Sequence, residues 1–320
     1  MPPAMTAATT LLHGVCPVLA TPFDASGAPD EAGLARVVDF ALESGVDAVV
    51  FPGVASEVEQ LSVPERERLV ALVAQRVAGR VPLVVGASAS DLATSMRHLR
   101  VAADVGAAAA MVMAPARLAG DATTLLAHYR ELGAAGPVPI MLQNAPPPAG
   151  AGFDMAQIAR VVVAVPAVRY VKEEAMPCGQ RISALLARPE LADAPHFAGV
   201  LGGAGARYLL DELARGAIGT MPAVELADVH VAMMRAWHDG NRTLARVLYN
   251  RSLPLLNFQA VFRWAMTKET LRRRGVIDHA HVRAPGPRLD AQDQVELGIM
   301  LDEIADLLGA VPLRAVAAPS

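Results

Sequence analysis

The stretch ALESGVDAVVFPG, residues 41–53, contains the pattern on which the fold depends. A helical segment ends at Gly45, and an apolar run rich in valine follows at once. Glycine suits this place because the residue after a helix often adopts a left-handed backbone, and a continuously apolar run is typical of a strand buried on both faces. The same succession recurs around Gly106 and Gly216. We therefore interpret the first 220 residues as repeated βα units.

Counting the apolar runs gives eight predicted strands, and eight parallel strands are the number that closes a barrel. The helical patterns between them include residues 64–77, where Ser62 and Glu65 are spaced as a capping box. No Gly-x-Gly-x-x-Gly turn follows the first strand, which disfavours an open dinucleotide-binding sheet. The sequence thus predicts an α/β protein, a (β/α)8 TIM barrel. Its predicted strands cover residues 15–20, 46–51, 83–86, 109–113, 139–143, 168–172, 196–201 and 217–221.

Strand patterns stop near residue 224, and only helical patterns follow. We therefore predict two regions, a (β/α)8 barrel over residues 1–224 and a C-terminal helical bundle over residues 225–320. The predicted C-terminal helices cover residues 229–238, 243–258, 265–274 and 293–308.

Composition narrows the classes of function. The net charge is −4, from 28 basic and 32 acidic residues, and no basic stretch would follow a nucleic-acid backbone. The start lacks a signal-like segment, and the longest uncharged stretch, residues 132–153, contains five prolines. We therefore expect a cytoplasmic protein with no nucleic-acid or membrane partner. The two cysteines lie far apart and the histidines share no ligand spacing, so no metal site is predicted.

Lys172 is the main candidate for chemistry. Only two of the 28 basic residues are lysines, and Lys172 ends the predicted sixth strand, at the end of a barrel where active sites lie. Loss of hydration there favours the neutral amine, which can attack a carbonyl and form a Schiff base, as arginine cannot. The alternative is a lysine that simply extends into solvent. The second lysine, Lys268, lies on a helical pattern and is predicted to be a solvated surface charge.

Several short motifs occur in one order along the chain: Gly14-Val15, Thr21-Pro22-Phe23, Gly53-x-x-x-Glu57 with Leu61-Ser62, Asn144-x-Pro146 and Lys172-Glu173. Over residues 12–310 they resemble the dihydrodipicolinate synthase and N-acetylneuraminate lyase family. The resemblance implies a barrel with a C-terminal helical bundle, usually a homotetramer, that needs no cofactor. It also implies that Lys172 forms an imine with pyruvate or another 2-oxo acid.

Gln143 stands where the family has a strand-five tyrosine that relays protons. An amide cannot transfer protons in this way, so Gln143 is better interpreted as a hydrogen-bond donor or as a structural amide. Because side chains alternate along a strand, Glu174 shares a face with Lys172 whereas Glu173 points the other way. Glu174 could serve as a general acid/base. A carboxylate close to Lys172 would favour the ammonium form, so this role requires Glu174 to lean toward the substrate; the alternative is a salt bridge to Arg117 or another arginine of the rim.

The substrate-binding residues of the family are also altered. Val54 and Ala55 replace two hydroxyl residues, so carboxylate binding there would depend on backbone N–H groups or on Ser56. The synthase's arginine after Asn-x-Pro is missing from residues 146–150, and its second tyrosine, lent by a neighbouring subunit, aligns near Ala116 or Arg117. Glycines near the last two strands suggest close approach of a small substrate, and the resemblance favours a carboxylate over a phosphate. The candidate substrate-binding residues are Ala55, Ser56, Arg117, Gly203, Thr220 and Met221.

The leading hypothesis is a Schiff-base lyase that acts on a 2-oxo acid by aldol cleavage, condensation or dehydration, in a homo-oligomer that is a tetramer or a dimer. One alternative is an authentic dihydrodipicolinate synthase, which the missing tyrosines and arginine disfavour. The other is a catalytically degenerate barrel that binds a small molecule.

Overall fold

Eight parallel strands form the centre of the molecule, a computed structural model that describes residues 11–309. In the sheet their order is β1-β8-β7-β6-β5-β4-β3-β2. The strands are β1 Gly14–Val15, β2 Val49–Val50, β3 Leu83–Gly86, β4 Ala109–Met113, β5 Ile140–Asn144, β6 Val168–Glu173, β7 Gly199–Gly202 and β8 Gly219–Thr220.

Residues 17–19 join the two ends of this sheet. Val18 makes parallel bridges to Val50 and to Ala223. The Leu19 N–H donates to the Val50 carbonyl and the Val50 N–H donates to the Pro17 carbonyl, both at 3.0 Å. These contacts link β1 to β2, so the sheet closes on itself and the predicted (β/α)8 barrel is confirmed.

Helices follow the strands as the sequence predicts. The predicted capping box is present, because the Ser62 N–H donates to the Glu65 carboxylate at 2.8 Å and the Glu65 N–H donates to the Ser62 hydroxyl at 3.4 Å. Gly45, Gly106 and Gly216 have φ values of +80°, +70° and +95°, as the helix-ending pattern requires. The helices are α1 Glu31–Glu43, α2 Val63–Val77, α3 Leu92–Asp104, α4 Ala122–Ala134, α5 Met155–Ala164, α6 Cys178–Leu186, α7 Leu209–Ala214, α8 Ala227–His238, α9 Arg242–Phe262, α10 Trp264–Arg273 and α11 Ala291–Glu303.

Buried apolar side chains fill three regions. One fills the barrel interior and includes Val50, Met111 and Leu201, and a larger one lies between the strands and the helices around them. The third holds α9, α10 and α11 together through residues such as Leu255 and Met266. The apolar interior lies directly below the carboxyl ends of the strands, and it therefore gives a dry floor to any site formed there.

The C-terminal region is helical, as predicted, but it is not separate from the barrel. Val231 and Met233 of α8 belong to the same core as the strands, and α8 packs beside β1. The last predicted helix ends at Glu303 and is followed by a short 3-10 turn. The division of the chain at residue 224 stays a prediction. No helix between residues 11 and 309 combines the length and apolarity needed to cross a bilayer.

Glu225 makes the stability of this fold depend on pH. Burial raises the pKa of this carboxyl to about 7. Between its ordinary pKa of about 4.5 and pH 7, only the folded state holds the proton, so the Glu225 contribution falls as pH rises through that window. We expect Glu225→Gln to match the wild type near pH 5 and to be about 2–3 kcal/mol more stable at pH 8, measured by urea unfolding at each pH.

Comparison with the wild type at each pH is necessary because other groups titrate in the same range. Burial lowers the pKa of His230 to about 4, and this group contributes with the opposite sign. Exposed Glu296 provides the matched control, and Glu296→Gln should show no such pH-dependent gain. A Glu225→Gln gain that is equal at pH 5 and pH 8 would contradict this account.

Candidate active site

A cavity of about 460 Å³ opens at the carboxyl ends of the strands. Its volume is in the range of small-molecule sites. Five of the sequence-predicted site residues line it, namely Ala55, Lys172, Glu174, Gly203 and Met221. The cavity therefore lies at the carboxyl ends of the strands, where the sequence predicts the site.

The Lys172 side chain lies at the top of β6 and is 5% exposed. Its Nζ lies 2.6 Å from Oε1 of Glu174, and Nε2 of Gln143 donates to Oε2 of the same carboxylate at 3.2 Å. Glu174 therefore does not lean away from the lysine, nor does it pair with Arg117. Among residues 11–309 the salt bridge to an arginine of the rim is not formed, because Lys172 and Gln143 on adjacent strands hold the carboxylate between them. The lean of Glu174 toward a substrate stays a prediction.

Gly203 allows this arrangement. A Cβ atom added to Gly203 would lie 2.3 Å from Cγ of Glu174 and 2.9 Å from Cε of Lys172, and real Cβ atoms do not approach neighbours so closely. The Gly203 N–H also donates to the Glu173 carbonyl at 3.0 Å, which fixes the loop after β7 beside β6. The predicted close approach at this glycine thus involves the catalytic candidates themselves.

Asn144 of β5 holds the end of β6 through two hydrogen bonds. Its carbonyl accepts from the Glu174 N–H at 3.1 Å, and its Nδ2 donates to the Glu173 carboxylate at 2.8 Å. Glu173 points away from Lys172, as the alternation predicts, and lies 3.3 Å from Arg181 of α6. Burial raises the pKa of Glu173, against the opposing effects of Asn144 and Arg181. This buried network holds Lys172 and Glu174 in register.

The loop after β2 presents backbone rather than hydroxyl groups. Ser56 is fully buried, and its hydroxyl donates to the Leu19 carbonyl at 2.5 Å while accepting from the Gly53 N–H at 2.9 Å. That hydroxyl is therefore engaged away from the cavity. Val54 and Ala55 line the cavity and open a single 3-10 turn, whose first N–H groups have no acceptor within the turn.

Two other predicted residues lie off the cavity surface. The Arg117 guanidinium donates to the Ser90 carbonyl at 3.1 Å, and Thr220 is fully buried in β8. Neither residue lines the cavity, and their roles in binding stay predictions.

Lys268 is buried, so its prediction as a surface charge is wrong. It is 0% exposed and not a surface charge, because it forms an ion pair with Glu57, donates to the His281 carbonyl at 2.8 Å and lies 4.0 Å from the centre of the Phe23 ring. Burial lowers the pKa of Lys268 to about 8. Glu57 in turn accepts from the Ala284 N–H at 2.6 Å. The pair therefore ties the loop after β2 to α10 and to the chain beyond it.

Breaking this pair should destabilise the protein strongly. Lys268→Met leaves the Glu57 carboxylate buried without its cation, and we expect the free energy of unfolding to fall by about 3–5 kcal/mol in urea denaturation. The double variant Lys268→Met/Glu57→Gln should recover a large part of this loss, since neither position of the pair then carries a buried charge. Equal stability of Lys268→Met and the wild type would show that the pair is dispensable.

Part of the cavity wall comes from α9 and α10, which the sequence pattern did not predict. Trp264 lines the cavity, and its Nε1 donates to the Val54 carbonyl at 2.6 Å. Reasoning from βα units stops before these helices and assigns them no part in the site. The missed lining residues on this side are Gln259, Ala260, Arg263, Trp264 and Thr267, and Arg207 of the loop after β7 was missed as well.

None of the chain's four tyrosines lines the cavity in the described part of the chain. Tyr129 donates to the Val112 carbonyl at 2.9 Å, and Tyr170 accepts from the Leu12 N–H at 3.3 Å. Between residues 11 and 309, no group of three or more His, Cys, Asp or Glu side chains is arranged to hold a metal ion. The charged side chains that line the cavity in the described part of the chain are Lys172, Glu174, Arg207 and Arg263.

Known proteins with similar sequences and folds are named as synthases and as a dehydratase. The chain is 31% identical over 299 residues to L-2-keto-3-deoxyarabonate dehydratase of Azospirillum brasilense, which covers 92% of this chain and 95% of that protein. It is 35% identical to 4-hydroxy-tetrahydrodipicolinate synthase of Stenotrophomonas maltophilia (strain R551-3) over 176 residues, 55% of this chain and only 59% of that relative. The crystal structure of dihydrodipicolinate synthase from Rhodopseudomonas palustris superposes with a TM-score of 0.83 at 26% identity, over 91% of this chain and 97% of that one.

The sequence model of the dihydrodipicolinate synthetase family matches residues 11–304, nearly the whole described chain. This chain therefore belongs to the dihydrodipicolinate synthetase family.

Proposed function

We propose that the protein is a class I lyase in which Lys172 forms a Schiff base with pyruvate or another 2-oxo acid. The observation that carries the proposal is the Lys172 amine, buried at the mouth of the barrel and 2.6 Å from Glu174. Lysine is the one cationic side chain here that can become a neutral nucleophile. The family relatives named as a synthase and as a dehydratase of a 2-keto acid support this chemistry.

The ion pair supplies the proton steps of the proposal. Glu174 takes a proton from the Lys172 ammonium, and the neutral amine then attacks the keto carbon. The keto oxygen receives one proton from the attacking nitrogen, which gives the carbinolamine, and a second from the protonated Glu174. It then leaves as water, so that the protonated imine and the Glu174 carboxylate remain. Because the proton moves within one hydrogen bond, the pair keeps its net charge throughout these steps. Glu174 is then free to take a proton from C3 of the imine.

Gln143 orients this acid/base. Its amide donates to one carboxylate oxygen of Glu174, so the other oxygen faces Lys172. This assigns to Gln143 a positioning part, with Glu174 carrying out the proton transfer that the family resemblance places on a tyrosine.

The substrate carboxylate would bind to the backbone of the loop after β2. The N–H groups at Val54 and Ala55 open the 3-10 turn at the cavity wall, and Ser56 has no free hydroxyl to contribute. Backbone N–H groups at the start of a helical turn are suited to a carboxylate.

We propose that the imine serves aldol cleavage, aldol condensation or dehydration of a 2-oxo acid. The wall formed by residues 146–149 is proline and alanine, and it offers no arginine where the family synthase has one. This favours a lyase or dehydratase of a 2-oxo acid over authentic dihydrodipicolinate synthase. We also propose that the protein works as a homo-oligomer, a tetramer or a dimer, in the cytoplasm.

Hydrogen exchange at C3 of pyruvate tests the proposal without knowledge of the natural substrate. Formation of an imine acidifies C3, so protein in D₂O should replace the methyl protons of pyruvate with deuterium, followed by proton NMR. Lys172→Arg is the matched control, since arginine keeps the charge beside Glu174 but cannot form the imine. Exchange that is absent in the wild type, or unchanged in Lys172→Arg, would overturn the proposed function.

A further inference from the structure

The charges on the cavity wall are not balanced. Four charged side chains line the cavity in the described part of the chain: Lys172, Glu174, Arg207 and Arg263. Lys172 and Glu174 compensate one another, whereas no carboxylate lies within ion-pair distance of either arginine among residues 11–309. Arg207 and Arg263 thus face the cavity without a carboxylate to balance their charge.

Arg207 is half-buried in the loop between β7 and α7. Its Nε donates to the Ala204 carbonyl at 3.1 Å, and its own carbonyl accepts from the Tyr249 hydroxyl of α9. These contacts fix the backbone and one side of the guanidinium, but they leave its terminal nitrogens available.

Arg263 lies between α9 and α10 with φ of +45°, a conformation rarely adopted by residues other than glycine. Its guanidinium carbon lies 4.3 Å from the centre of the Trp264 ring, which in turn is tied to the Val54 carbonyl. One turn earlier on α9, Oε1 of Gln259 lies 3.6 Å from where a Cβ of Gly205 would be. The end of α9 and the loop that carries Arg207 therefore form one side of the cavity mouth.

We propose that this side binds a second anionic group of the substrate, a carboxylate or a phosphoryl group at the end remote from the keto carbon. Arg207 and Arg263 hold that group, and the proline and alanine wall of residues 146–149 offers it no competing charge. Guanidinium groups suit such ligands because they donate paired N–H groups to two oxygens. This inference rests on the proposed function, since it identifies the substrate class of the same site.

Binding of 2-oxo acids that differ only in the remote group tests the proposal. The probes are 2-oxoglutarate against 2-oxovalerate and 2-oxoadipate against 2-oxohexanoate, pairs of equal length with and without a terminal carboxylate. Calorimetry with Lys172→Ala measures binding in the absence of an imine. We expect at least one dianionic probe to bind about tenfold or more tightly than its partner, because charge-assisted hydrogen bonds carry the difference.

The double variant Arg207→Gln/Arg263→Gln, in the Lys172→Ala protein, should lose this preference while the uncharged-tail probes bind as before. Exposed Arg246 of α9 provides the matched control, and Arg246→Gln should keep the preference. A further probe, 2-oxo-4-phosphonobutyrate, ranks phosphoryl against carboxylate; tighter binding than the uncharged-tail acids supports the proposal in either order.

Equal binding of the paired acids at both lengths would overturn the proposal, as would a preference that survives in the double variant. The binding preference and the C3 exchange are independent readouts, so the anion site and the proposed function can fail separately. Absence of C3 exchange in the wild type, together with a preference for dianionic acids, rejects the lyase and keeps the anion site. Exchange without this preference keeps the lyase and rejects the anion site.

Discussion

Replacing Lys172 with alanine is expected to lower turnover of any 2-oxo acid substrate by about 10⁴-fold or more, since the covalent intermediate cannot form without the amine. The loss should fall on kcat. Initial rates measured for the substrate on which the wild type is active provide the test.

Lys172→Arg separates nucleophile from charge. Arginine can still pair with Glu174, so the fold around the cavity is preserved, yet it is never neutral. We expect it to be as inactive as the alanine variant. Activity in Lys172→Arg would contradict the Schiff-base mechanism, and ligand binding with no turnover in wild type or variants would instead support a binding protein.

Glu174→Gln is expected to slow turnover by about 100- to 10,000-fold, the usual effect of removing a general acid/base. The amide can still hydrogen-bond the Lys172 amine, but it can neither take up its proton nor return one to the departing oxygen. Steady-state rates and the rate of C3 exchange should fall together, because both depend on the same proton transfers.

Gln143→Met provides the comparison for this prediction. It removes only the hydrogen bond that orients Glu174, so its rate loss should be much smaller, about tenfold. Near-wild-type rates in Glu174→Gln would show that another group moves the protons and that the contact with Lys172 is only structural.

The barrel could be predicted because its repeated helix, glycine and apolar run is local in sequence. Gly45 and Gly106 take the backbone that the pattern requires. The lengths of the strands could not be predicted, and β1, β2 and β8 contain only two residues each. An apolar run shows that a segment is buried, but the hydrogen-bonded part depends on how neighbouring strands tilt and stagger around the closed barrel.

The site was predictable where it depends on single strands. Strand-end position identifies Lys172, and alternation places Glu174 on its face. The ion pair, the engaged Ser56 hydroxyl and the burial of Lys268 depend on packing between distant segments, which a sequence pattern does not report. Lys268 was assigned wrongly because its helical pattern does not show that Glu57, more than two hundred residues earlier, lies against it.

Borohydride reduction in the presence of pyruvate, followed by peptide mass spectrometry, tests the central claim most directly. Since the chain contains only two lysines, the modified side chain is identified without ambiguity. We predict one reduced pyruvate unit on Lys172 and none on Lys268. Absence of an adduct with every 2-oxo acid tried, or an adduct on Lys268 in place of Lys172, would contradict the account.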